Sequence, residues 1–184
     1  GKGHNGPSTR MGIAVRLREI FSDMSPSPKE EAKWWKKETE SSEPDLEGEE
    51  AIWRLVADRE LPVVFSAMRA DDIEFALFLI QEFELSGILL GGAEAWIHAR
   101  QLSELKVPVI LGPLTVQPSS FEHIYARYDN AKILNDAGVL MAFRSGANHN
   151  SRQLPTDVAV AVAHGLPFES AIQALCYNPT KIFP

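Results

Sequence analysis

The sequence has almost no cysteine, no long apolar run and no excess of positive charge. Cys176 is the single cysteine among 184 residues, which excludes a disulfide framework and a zinc site built from several cysteines. The formal net charge of −7 argues against nucleic-acid binding, which requires a basic face. The apolar runs are far shorter than the roughly 20 residues that span a bilayer. We therefore expect a cytoplasmic protein that has neither a nucleic acid nor a membrane as its partner.

The first 60 residues are rich in charge and lack the short apolar runs that are typical of buried strands. Residues 29–50 carry four lysines and nine acidic residues, a composition typical of solvent-exposed helices and loops. We interpret residues 1–60 as a charged helical segment, in which Ser8 or Thr9 caps the first helix. Because the chain starts at Gly1 rather than Met, we also expect a piece of a longer protein. Helices are predicted over residues 11–21, from Pro28 through Trp35, and over 48–58.

A different pattern begins at Leu61, where short runs of Val, Ile and Leu alternate with helical spacings. Continuous apolar runs of this length predict strands that are covered on both faces, as in a parallel sheet. Four βα units account for residues 61–184, whereas a complete (β/α) barrel needs about 250 residues. The predicted fold is therefore α/β, either a small open sheet or half of a TIM-type (β/α) barrel. The predicted strands cover residues 63–68, 87–90, 107–111 and 139–143.

The sequence also predicts a cap for one helix, the burial of the single cysteine and the end of the last helix. Asp71 or Asp72 is expected to cap the helix that follows the first strand. Cys176 falls on the apolar face of the last helix, which favours a small core residue over a reactive thiol. Asn178 and Pro179 are expected to end that last helix.

Polar side chains follow each predicted strand, at the edge where α/β folds bind their ligands. Of the five histidines, only His149 lies at this edge, and a zinc site needs three or four ligands. Ser66 and Ser145 also lie there, but neither occupies a Gly-x-Ser-x-Gly sequence, so loop capping is favoured over nucleophilic catalysis. The catalytic residues therefore stay unknown at this point.

Several segments together resemble one known family. They are residues 61–73 (LPVVFSAMRADDI), 91–96 (GGAEAW), 107–113 (VPVILGP), 164–167 (HGLP) and 178–182 (NPTKI). In order and spacing this set resembles the C-terminal half of the amidohydrolase superfamily, in its imidazolonepropionase-like branch of metal-dependent hydrolases. Residues 6–12 and the charged helices resemble an insertion that some members carry before the fifth barrel strand.

The resemblance implies an eight-stranded (β/α) barrel that hydrolyses amides and cyclic amides with one or two divalent metals such as zinc. In the family, the metal polarises a carbonyl and activates a bound water. Related sequences have His-Ala-His where this one has Ser66, Ala67 and Met68, and they have His-Gly where this one has Gly91 and Gly92. Near the position of the family's last acidic ligand, this sequence has Arg144.

These replacements lead to the expectation of a degenerate, metal-free relative. A thioether and two glycines cannot hold a divalent ion against water, and an arginine adds positive charge where the family concentrates a cation. Gly91 and Gly92 are expected to open space where imidazoles stand in the family. A small polar or anionic ligand is then expected at the strand ends, beside Arg69, Arg144, Asn148 and His149.

Two other interpretations of the resemblance stay open. One is an active hydrolase that another segment or subunit completes, with a site built around His149. The other is a non-catalytic binding or assembly module, because half a barrel leaves open sheet edges and an exposed apolar interior. The expected partner is a second copy in a homodimer, or else the remainder of a longer chain. In that module, the helices that carry Trp34, Trp35 and Trp53 are expected to add cover.

Overall fold

Four parallel strands form one sheet at the centre of the molecule. The computed structural model of the chain describes residues 9–24, 49–114, 121–146 and 148–183. The strands pair in chain order, and a helical segment follows each of them, so the predicted α/β class is confirmed. Their bounds are β1 Val63–Ala67, β2 Gly87–Gly91, β3 Val109–Leu111 and β4 Met141–Phe143.

Helices occupy most of the remaining described residues. The α-helices are α1 Arg10–Met24, α2 Glu49–Ala57, α3 Ala70–Glu82, α4 Ala99–Glu104, α5 Asn130–Asp136, α6 Leu154–Ala163, α7 Phe168–Ile172 and α8 Asn178–Ile182. Three 3-10 helices add Ala95–His98, Phe121–His123 and Asn148–Gln153, and a π-helical turn spans Gln173–Tyr177. Among the described helices, none combines the length and the apolar character needed to cross a bilayer.

The two faces of the sheet bury different side chains, because successive residues of a strand point to opposite faces. One face packs against the helices through a cluster that includes Leu89, Val109 and Met141. The opposite face carries Ile88 and Ala142, which form a smaller cluster with Ile182 of α8. β2, β3 and β4 therefore bury apolar side chains on both faces, which explains their continuous apolar runs. In β1, Val64 and Ser66 are exposed, so the predicted cover on both faces is wrong for this strand.

The two N-terminal helices pack on the outside of β1 and α3. Phe21 of α1 and Val56 of α2 are buried in one cluster with Leu79 of α3. Trp53 contacts the ring of Phe21 edge to face, with 6.4 Å between the ring centroids. Helices predicted over 11–21 and 48–58 are confirmed, and Thr9 caps the first by accepting the N–H of Gly12 at 3.1 Å. The predicted helix through Trp34 and Trp35 lies outside the described residues.

Two of the local expectations for the last helices are wrong. The chain does not leave the helical conformation at Pro179, because a π-helical turn is followed directly by α8, which has that proline in its first turn. This placement suits proline, whose missing N–H needs no partner there. Cys176 is exposed, since the wider π-helical turn shifts the register that the 3.6-residue spacing assumes.

Candidate functional site

The carboxyl edge of the sheet is lined by residues that directly follow the strands. Met68 follows β1, Gly91 ends β2, Gly112 follows β3 and Arg144 follows β4. In parallel α/β folds this edge carries the ligand site. Its chemistry in this chain is dominated by a thioether, glycine backbone and a guanidinium.

The side chain of Met68 fills the space that a side chain at position 91 would occupy. A Cβ atom at position 91 would lie 2.5 Å from the Cε atom of Met68 and 2.6 Å from its Sδ atom. Gly91 also has a φ of +103°, a conformation that glycine adopts at little cost and other residues rarely adopt. The expectation of open space at Gly91 is therefore wrong, because the thioether of Met68 fills that space.

Gly92 is also surrounded by packed atoms. A Cβ atom there would meet the Cβ of Ala95 at 3.1 Å and Cγ1 of Val109 at 3.3 Å. The Gly92 N–H donates to the carbonyl of Ala67 at 2.8 Å, which ties the turn after β2 to the end of β1. The second expected opening is therefore absent as well, and this glycine serves close packing.

Glu94 is a buried acid that connects two βα units. Its side chain is 4% exposed, and its Oε2 atom accepts the N–H of Ala70 at 2.8 Å, at the first residue of α3. Its own N–H donates to the carbonyl of Met68 at 2.9 Å. A carboxylate at a helix N-terminus satisfies an unpaired donor and complements the helix dipole. Glu94 therefore stabilises the position of the loop that holds Met68.

The capping role predicted for Asp71 or Asp72 is wrong. Arg69 occupies the N-cap position of α3, and neither aspartate caps the helix with its side chain. Asp72 instead pairs with Arg10 at 3.0 Å, and Asp71 pairs with Arg69 at 3.1 Å. Local spacing could not identify the cap, because Glu94 belongs to the next unit of the chain.

Asn130 is the other buried polar group beside this edge. Its Nδ2 atom donates to the carbonyls of Gly92 at 2.8 Å and Ala93 at 3.2 Å, and the residue is 1% exposed. Its Oδ1 atom is buried with no hydrogen-bond partner among the described residues. Asn130 lines a pocket with Met68 and Arg127, and the enclosed volume of about 20 Å³ has room for about one water molecule.

The residues predicted to bind a ligand lie at separate parts of the carboxyl edge. Arg69 follows β1 and Arg144 follows β4, so they stand on the two outer strands, on the order of 14 Å apart along the sheet. The Arg144 Nε atom donates to the carbonyl of Ser145 at 3.3 Å. Asn148 begins the 3-10 helix after β4, and His149 is exposed in that helix. Ligand binding by these four residues stays a prediction.

The positions that carry metal ligands in the resembled family do not fit a divalent ion here. Ser66 is exposed on the outer strand, Met68 packs against Gly91, and Arg144 brings positive charge. In the described ranges, no three His, Cys, Asp or Glu side chains come close enough to share a metal ion. A thioether, a glycine and a guanidinium supply no hard or borderline anionic ligand.

A charged and aromatic cluster flanks the pocket. Arg127 donates two hydrogen bonds to Asp129, at 2.7 and 2.6 Å, and its guanidinium lies 4.7 Å from the ring centroid of Trp96. The pKa of Asp129 lies below its usual value, first because of the hydrogen bond from Arg127. Arg127 is therefore held in a fixed position by a carboxylate and an aromatic face.

A solved structure is similar to this chain in both fold and sequence. No protein-family model matches the chain, and no curated protein matches it. The chain is similar to an amidohydrolase from Thermotoga maritima MSB8, with 30% identity and a TM-score of 0.79 over 96% of its length. It spans 46% of the length of that protein. The similarity supports the amidohydrolase fold and confirms the prediction of a partial TIM-type barrel.

Proposed function

We propose that this chain is an amidohydrolase-related barrel segment whose metal centre has been replaced by packed side chains. By itself it holds no divalent ion and does not catalyse metal-dependent hydrolysis of C–N bonds. One observation carries this proposal: the thioether of Met68 fills the space that a side chain at position 91 would need. Related sequences of the resembled family have histidines at the positions of both Met68 and Gly91.

The chemistry of the replaced positions supports the proposal. A thioether favours soft ions, glycine supplies no side-chain ligand, and the guanidinium of Arg144 repels a cation. Glu94, the buried acid nearby, uses its carboxylate to cap α3.

The finer parts of the assignment belong to the same proposal. They are the imidazolonepropionase-like branch, the correspondence of residues 61–184 to the C-terminal half of a barrel, and a cytoplasmic location. The chain matches 46% of the Thermotoga maritima amidohydrolase, which agrees with a segment of such a protein. The boundary between residues 1–60 and 61–184 stays a prediction.

Restoring imidazoles at the strand end tests the proposal directly. Ser66 lies near the end of β1, and Met68 directly follows the strand. The double variant Ser66→His/Met68→His removes the thioether and adds two imidazoles, and we expect it to retain more Co²⁺ after dialysis than the wild-type chain does. The matched control Ser66→Ala/Met68→Leu keeps the apolar packing and is expected to bind no Co²⁺, like the wild-type chain.

Hydrolysis assays complete this test. Wild-type chain supplied with Zn²⁺, Mn²⁺ or Co²⁺ is expected to leave N-acyl amino acids and cyclic amides intact. Metal-dependent turnover of either substrate class by the purified chain, lost after chelation and restored by the ion, overturns the proposal.

A second candidate function is an active hydrolase that another polypeptide segment completes. The observation that favours it is the coverage, because the chain spans 46% of a similar amidohydrolase and the remaining barrel strands have no counterpart here. In this case the exposed His149 and the half-buried Arg144 contribute to a site built on the other segment. Addition of that segment to the chain is then expected to produce turnover, which His149→Ala reduces.

The rim residues supply the ligand hypothesis for either function. Arg69 and Arg144 offer two guanidinium groups, and Asn148 and His149 follow Arg144 along the chain. A small anion held by Arg144 and His149 is therefore proposed. Isothermal titration with inorganic phosphate tests it, and Arg144→Gln is expected to abolish any heat of binding, whereas the exposed Arg100→Gln leaves it unchanged.

A further inference from the structure

Two turns at the carboxyl edge of the sheet are joined by three hydrogen bonds. We call residues 67–70 the β1 turn and residues 91–95 the β2 turn. The N–H groups of Gly92 and Glu94 donate to main-chain carbonyls of the β1 turn, at 2.8 and 2.9 Å. In the other direction, the N–H of Ala70 donates to the carboxylate of Glu94 at 2.8 Å. The two turns therefore cannot separate without breaking all three bonds.

Asn130, the first residue of α5, holds the β2 turn from the next βα unit. Its Nδ2 atom donates to the carbonyls of Gly92 at 2.8 Å and Ala93 at 3.2 Å. Asn130 is 1% exposed and Glu94 is 4% exposed, so little water competes for their hydrogen bonds. Hydrogen bonds in such surroundings are stronger than those at the surface. A side chain of the third unit therefore fixes the turn to which the β1 turn is bonded.

This arrangement leaves one buried polar atom unpaired. Within the residues that the structure describes, the Oδ1 atom of Asn130 has no hydrogen-bond partner. A buried acceptor without a donor costs free energy, and this cost disappears when water reaches the atom. Met68 of the β1 turn is only partly buried, and its unbranched thioether changes rotamer easily. Both features lower the cost of opening the turns relative to the cost of unfolding the sheet.

We propose that the β1 and β2 turns open and close as one unit, which Asn130 and Glu94 hold closed. In the closed state, Met68 fills the space beside Gly91. Opening breaks the hydrogen bonds of both holding residues, hydrates the Oδ1 atom of Asn130 and moves Met68 away from Gly91. Because Met68 and Asn130 line the same pocket, the motion widens this pocket. The motion does not depend on whether the chain binds a metal ion or hydrolyses an amide.

Native-state hydrogen exchange on the full wild-type chain tests this motion. The N–H groups of Ala70 and Gly92 are expected to give equal opening constants that depend little on urea below the unfolding transition. The N–H of Val109, which bonds β3 to β4, reports global unfolding and is expected to show a steep urea dependence. The proposal is overturned if Ala70 and Gly92 follow Val109 at every urea concentration.

Substitution of Asn130 tests the coupling between the turns. Asn130→Ala is expected to speed the exchange of Gly92 and Ala70 together, by about tenfold or more, although Ala70 bonds to Glu94 and not to Asn130. The matched control Leu134→Ala removes a fully buried apolar side chain from the same helix. It is expected to speed the exchange of Val109 and to leave both turns unchanged. Faster exchange of Gly92 without Ala70 in Asn130→Ala overturns the proposal.

Oxidation by hydrogen peroxide follows Met68 itself. The chain has four methionines, and peptide mass spectrometry measures the oxidation of each one separately. Asn130→Ala is expected to raise the oxidation rate of Met68 several-fold. Met141, which is 2% exposed, is the buried reference, and its rate is expected to stay at the wild-type value. An unchanged rate at Met68, in a variant whose turns exchange faster, means that the turns open without moving the thioether and overturns the proposal.

Discussion

The thioether of Met68 lies where a side chain at position 91 would project, with 2.5 Å between the Met68 Cε atom and an ideal Cβ on Gly91. The two residues lie at the ends of neighbouring strands, and the size of each side chain limits the size of the other. A residue larger than glycine at position 91 would require Met68 to move away. The Met68 side chain therefore fills the part of the carboxyl edge at which the resembled family places its metal ligands.

The first prediction concerns this pair. Gly91→Ala is expected to lower the free energy of unfolding by about 1–3 kcal/mol, because it adds a clash with Met68 to an unfavourable φ. Urea unfolding measures this change. The double variant Met68→Ala/Gly91→Ala forms the control, because it removes the clash and keeps the unfavourable φ. Its cost is expected to be smaller than the sum of the two single costs, and a simple sum would show that the residues do not interact.

Glu94 is expected to be the acid that matters most for the stability of α3. Glu94→Ala removes the acceptor of the Ala70 N–H and leaves a cavity at a 4% exposed position. A loss of about 1–2 kcal/mol in unfolding free energy is expected from the missing cap. Glu74, an exposed acid on the same helix, gives the matched control, and Glu74→Ala is expected to stay within about 0.5 kcal/mol of wild type. Equal effects of the two substitutions would refute the capping role.

The ion pair of Arg127 with Asp129 predicts a small pH dependence of stability. The folded-state pKa of Asp129 lies below its usual value, so the pair stabilises the fold at neutral pH. This contribution is lost as the pH falls through the lowered pKa. It is small, because the side chains are largely exposed to solvent and screened. Thermal unfolding from pH 7 down to pH 3 is expected to show a steeper loss for wild type than for Asp129→Asn, and parallel curves would contradict this assignment.

Cys176 is expected to react in the folded protein. It is exposed beside the π-helical turn, so a thiol reagent such as dithionitrobenzoate reaches it without unfolding. We expect one thiol to react per chain, at similar rates with and without urea. A reaction that appears only above the unfolding midpoint would place the thiol in the core instead.

The strands could be predicted from the sequence because each is a continuous apolar run. Residues 63–68 were expected to form a strand, and β1 covers Val63–Ala67. The run at 87–90 likewise became β2. Burial on both faces produces this pattern in β2, whereas β1 has the same apolar run with Val64 and Ser66 exposed on one face.

The details of the site depend on distant residues and could not be predicted. The cap of α3 comes from Glu94, 24 positions after the N–H that it accepts, whereas local spacing favoured Asp71 or Asp72. The space beside Gly91 was expected to be open, because the sequence shows which side chain is missing and not which neighbour fills its place. Only the packing of one βα unit on the next places Met68 there.

The metal content of the purified wild-type chain tests the central claim most directly. The chain is prepared without chelators and without added metal, and zinc, manganese and iron are measured by elemental analysis against protein concentration. We predict that none of the three reaches a stoichiometric amount. One equivalent of any of them, retained after dialysis and lost in Ser66→Ala/Met68→Leu, would contradict the replacement of the metal centre by packed side chains.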